Sequence, residues 1–186
     1  MTTIPFDPFQ DRLSRDIRNQ LSRALLPCMR SGTVEPAQEV ARNFLLRDPG
    51  PEQRAYIKRR LELFARFLAT VGKGPTDVLW QGFLLWDLGL HFEVHEILEH
   101  AWKQADGQEK LLLQAMIRAA GVYIKAEYGY LGPARSLASK ALPVLQDNRE
   151  RLAAYIDPEQ LFAALRAPEL PPPRLLRGLD LPQEPL

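Results

Sequence analysis

The sequence predicts an all-α protein, a single compact bundle of about six to eight helices, on three observations. Apolar residues recur at three- and four-residue spacing along most of the chain, as a helix with one buried face requires. No run alternates apolar and polar residues far enough to make a strand. Sixteen prolines occur, yet none lies between Pro75 and Pro133, which leaves the middle of the chain free to stay helical.

The elements follow in order. Phe9, Leu13, Ile17, Leu21 and Leu25 recur every four residues and predict an amphipathic helix that Pro27 closes. A short helix follows Glu35 and ends before Asp48-Pro49-Gly50-Pro51, a run that breaks helices. Pro51 suits the first turn of a long helix to about Val71, with Ile57, Leu61, Phe64 and Leu68 on one side. Gly72-Lys73-Gly74-Pro75 ends it. The proline-free window should hold three helices, Thr76 to Leu88, about Phe92 to Lys103, and Gln108 to Tyr128, with breaks at Gly89 and Gly107. The third is apolar nearly all round and is expected to be the most buried. A further helix starts at Gly132-Pro133, where Pro143 kinks or ends it, and Asp157-Pro158-Glu159 opens a last one to Arg166. These elements divide the chain into a helical extension over 1–75 that packs on the core, a core domain over 76–166, and an extended, disorder-prone tail over 167–186 that proteases remove early.

Composition narrows the setting. A chain 46% apolar and 25% charged is that of a globular protein. A lone cysteine, Cys28, forms no internal disulfide and fits a reducing compartment. The start has neither a basic stretch nor an apolar run, and the most membrane-like segment, Val78 to Trp86, is stopped by Asp87. A soluble, cytoplasmic protein with no membrane partner is expected. Residues 1–75 carry 13 Lys and Arg against 8 Asp and Glu, whereas residues 76–110 carry 2 against 7. Opposite potentials attract, which is why the extension is expected to dock on the core. The arginines are interspersed with acids and lack interleaved stacking aromatics, which argues against nucleic acid.

Chemistry-bearing residues gather in one place. His91, His95 and His100 fall within ten residues, with Glu93, Glu96 and Glu99 interleaved and Trp102 following. Imidazole and carboxylate are ligands for divalent metals and acid–base groups. At about 100° per residue, His91, His95, Glu99 and Trp102 share a stripe roughly 80° wide, while Glu93, Glu96 and His100 point mostly elsewhere. His95-Glu96-Ile97-Leu98-Glu99 has glutamate where a zinc-protease helix needs its second histidine. Leu88, Phe92 and Ile97, three residues before each histidine, rule out the Glu-x-x-His of a di-iron bundle. An i,i+4 pair such as His95 and Glu99 can share a metal with ligands from elsewhere, or simply form a side-chain hydrogen bond in a part-buried polar network.

His95-x-x-x-Glu99-x-x-Trp102, preceded by Gly89 and Phe92-Glu93, resembles the signature of the family named domain of unknown function 309. The following helix, with Gln114, Tyr123, Gly129 and then Ala134, resembles that family's second block, and the resemblance covers roughly residues 76–150. It implies a small helical bundle of unestablished activity. It also implies candidate metal ligation by His95 and Glu99, and more loosely by Glu93, Glu96 and Trp102. His91 stands where the family leads one to expect an aromatic residue. Arg118, Lys125 and Tyr130 stand where glutamine, histidine and asparagine are expected. Gln114, Arg118 and Lys125 share a stripe about 40° wide. Cations on so apolar a helix need anions, so Arg118 above all, or Lys125, is expected to pair with Glu93, Glu96 or Glu99.

Two functions fit these residues. One is a non-catalytic interaction or structural module, its His/Glu/Arg network fixing the packing and a protein or second copy as partner. The other is a protein that binds a divalent metal ion or small ligand at His95 and Glu99, with metal-assisted hydrolysis as the reaction class. The first is favoured because no complete catalytic constellation is present.

Overall fold

The computed structural model describes residues 6–179. These residues are 72% helical, without strands among them, so the all-α expectation holds. Nine helices are described, eight of them of seven residues or more. They fall into two compact units, 6–74 and 75–179. Among the described residues, no helix is long and apolar enough to cross a membrane.

The first unit holds α1 (Arg12–Ser31), α2 (Glu35–Leu45) and α3 (Pro51–Val71). Asp11 caps α1 by accepting the amides of Leu13 and Ser14, and Pro51 occupies the first turn of α3. Pro27 does not close α1 as expected; the helix runs through it to Gly32, whose φ of 69° supplies the left-handed cap. Pro27 is exposed, so water can satisfy the carbonyl its missing N–H leaves free. Ile17, Leu21, Ala41, Phe44 and Ile57 make this unit's own core.

The second unit contains α4 (Val78–Asp87), α5 (His91–Trp102), α6 (Gly107–Ala126), α7 (Leu131–Asp147), α8 (Arg149–Ala153) and α9 (Pro158–Arg166). α5 packs between α4 and α6, and α6 packs in turn on α7. Seven of the ten residues of α4 are buried, against ten of twenty in α6, so α4 rather than α6 is the most enclosed helix. Pro143, also exposed, does not end α7. The short α8 had no marker in the sequence. At the corner between α4 and α5, Gly89 takes a φ of 72° and the Leu90 amide returns to the Leu85 carbonyl, so the chain reverses in three residues.

Residues 168–179 contain no helix and are tied to α4. Trp86 Nε1 donates to the Pro173 carbonyl, the Leu175 and Leu176 amides donate to Asp87, and Leu175 is buried. Backbone amides that sequence patterns do not reveal thus hold this stretch to the end of α4. Residues 180–186 lie outside the described residues.

Candidate metal centre

α5 begins at His91 and presents its apolar residues Val94, Ile97 and Leu98 to the interior. Gly82 on α4 lets Leu98 approach to 3.4 Å from where a Cβ would stand, which seats α5 closely. This leaves His95 and Glu99, one turn apart, at the edge of the buried face.

His95, Glu96 and Glu99 come together there, each offering a ligand atom within 4.8 Å of the others. His95 Nδ1 lies 3.7 Å from Glu96 Oε1, and Glu99 Oε1 lies 3.3 Å from Lys103 Nζ. His95 Nδ1 is buried and has no hydrogen-bond partner among the described residues, although two carboxylates stand beside it. Ligand atoms about 2 Å from a common ion sit roughly 3–4 Å apart, so small rotamer changes close the set. One nitrogen and two oxygens suit a borderline or hard divalent ion. Phe92 lies nearly parallel to the His95 ring, with ring centres 6.1 Å apart.

The sequence geometry sent Glu96 elsewhere; its side chain reaches back across the 100° that separates neighbouring Cβ directions. Glu93, also placed off the stripe, is fully buried and stands outside the three-residue cluster. Trp102 is half-buried beneath Lys110, whose Nζ is 4.9 Å from the ring centre. His91 is 7% exposed, stacked on Tyr123 at 5.5 Å and edge-on to Trp86 at 5.2 Å. It fills an aromatic position in the core.

Of the second-block cations, Arg118 stands differently from the expectation. Arg118 is half-buried, and no ion pair or hydrogen bond of it is found among the described residues, so its expected tie to the α5 carboxylates is corrected. A long side chain can keep its charge at the surface while its stem covers apolar neighbours. Lys125 Nζ stands 5.5 Å from the ring centre of Tyr130. Gln114 is half-buried.

A family model described as Domain of unknown function (DUF309) matches residues 79–137. That segment resembles the DUF309 family. The DUF309 match contains α4 from its second residue, all of α5 and α6, and the start of α7, so it encloses the centre. It is narrower at both ends than the sequence reading. No curated protein and no solved structure matches the chain.

Two polar residues outside this centre escaped the sequence reading. Asp77 caps α4 through the Leu79 amide and also accepts from Arg151 at 2.6 Å and Tyr155 at 2.8 Å. An acid just before an apolar run was the available signal. Asp87, an acid at the end of that run, is the other.

Proposed function

We propose that this protein binds a divalent metal ion, held on α5 by His95, Glu96 and Glu99. The observation that carries the reading is the buried, unbonded His95 Nδ1 beside two carboxylates, since a buried polar atom without a partner is costly and a metal would satisfy it. The donor set favours Zn²⁺, Mn²⁺ or Fe²⁺ over soft Cu⁺. Once bound, such an ion supplies Lewis-acid activation of a water, the chemistry of metal-assisted hydrolysis. A cytoplasmic setting belongs to the same proposal, with Cys28 free and buried.

One observation favours a second reading, a non-catalytic interaction or structural module. Lys103 already lies against Glu99, and an i,i+4 pair of this kind can be the whole purpose of the charge. Thermal shifts of tag-free protein with Zn²⁺, Mn²⁺ and Fe²⁺ separate the two. At about a hundredfold excess over Kd, binding adds roughly 2.7 kcal/mol, or about 5–11 °C for a chain of this size. The metal reading requires this shift in the wild type and its loss in both His95→Ala and Glu99→Ala. A wild type unmoved by all three ions leaves only the structural role.

A further inference from the structure

His95, Glu96 and Glu99 bring two carboxylates and an imidazole within 4.8 Å of one another on one helix. Like charges this close repel unless a cation stands among them. Among the described residues, Lys103 is the one lysine or arginine paired with the trio, its Nζ 3.3 Å from Glu99 Oε1. The helix sets its place. Lys103 follows Glu99 by four residues, the order in which a glutamate and a lysine on one face meet best. It also caps the C-terminal end of α5, where a positive charge answers the helix dipole. Glu96 has no such cation, and its Oε1 lies instead 3.7 Å from His95 Nδ1. One of the three ligand side chains is thus already engaged by a cation of the chain itself.

We propose that Lys103 is the resident counter-cation of this centre, exchanged for the metal ion on binding, so that it sets the affinity of the site. The inference rests on the metal reading above. An ammonium against Glu99 and an ion about 2 Å from the same carboxylate would stand a few ångströms apart, where two positive charges repel. The lysine is the one that yields. Its side chain is 57% exposed, so a turn of the stem carries the charge into water without unpacking the helix. An exposed pair of this kind is worth up to about fivefold in an equilibrium, so Lys103 tunes the centre rather than closing it. Lys110 carries the same charge nearby but stands over the Trp102 ring at 4.9 Å and pairs with none of the trio.

The test is calorimetric titration of Mn²⁺ and, separately, Zn²⁺ into the tag-free full chain and three variants. It is run at about 20 mM and about 500 mM salt, between which the screening length falls from roughly 20 Å to roughly 4 Å. Lys103→Met should bind each ion about fivefold tighter than the wild type at low salt and within about twofold of it at high salt. Lys103→Arg keeps the charge and should stay within about twofold of the wild type at both. Lys110→Met removes a charge that touches no ligand and should also stay within about twofold. A lysine with only a structural role would shift the melting temperature of Lys103→Met and leave its affinity for the ions unchanged.

The outcomes separate this inference from the reading beneath it. Ions bound equally well by the wild type and Lys103→Met overturn the exchange and leave the centre standing. A gain in Lys110→Met as large as that in Lys103→Met overturns it too, because the charge would then act without contact. No saturable binding of either ion by the wild type or by Lys103→Met overturns the centre itself, and the exchange with it.

Discussion

His91 and His95 stand one turn apart on the same helix, and their surroundings give them opposite roles. His91 is enclosed by Trp86 and Tyr123 as a flat ring among rings. His95 turns a bare ring nitrogen toward two carboxylates. His91→Phe should therefore leave any metal-induced thermal shift at wild-type size, whereas His91→Ala should open a gap worth roughly 2–3 kcal/mol in a thermal melt. An equal loss of the metal response in His91→Phe and His95→Ala would place the ion elsewhere. Tyr123 beside them is buried, donates to the Ala164 carbonyl at 3.0 Å, and has its phenol pushed up to about 12 by burial and the charge of Glu169. Tyr123→Phe should cost about 1–2 kcal/mol by denaturant unfolding, since it strands a buried acceptor. Spacing alone made His95 and Glu99 legible as a pair. Glu96 was not, because a helical projection gives the direction of a Cβ and not the reach of the carboxylate beyond it.

At the scale of elements, the contact between α6 and α7 turns on one glycine. A Cβ on Gly121 would stand 3.1 Å from Leu137 Cδ1, which is the close approach that a glycine inside a helix suggests. Gly121→Leu should destabilise by roughly 1–3 kcal/mol, read as a lowered midpoint in urea. Asp77 ties the start of α4 to α8 and the turn after it through Arg151 and Tyr155. Asp77→Ala removes a cap and two further hydrogen bonds and should cost roughly 2–4 kcal/mol. Arg118→Met should change stability by less than about 1 kcal/mol, where a buried ion pair would have lost about 3–5. A large loss in that variant would restore the ion-pair account. Helix positions were readable here from caps, prolines and periodicity. The passage of α1 and α7 through Pro27 and Pro143 was not, because it depends on each proline facing solvent, which is settled by packing.

At the scale of the whole molecule, each of the two units has its own buried residues, and the DUF309 segment lies wholly in the second. The Gly72-Lys73-Gly74-Pro75 run marked the junction in the sequence because glycine and proline together end helices. The segment beyond α9 was read only as a tail, since its attachment uses backbone amides and a single buried leucine rather than a periodic apolar face. The central claim concerns the metal, and calorimetric titration of Zn²⁺ and Mn²⁺ into the tag-free full chain tests it most directly. Saturable binding of about one ion per chain is predicted for the wild type, absent from His95→Ala and from Glu99→Ala. No saturable heat in the wild type, or binding unchanged in both variants, would contradict the account.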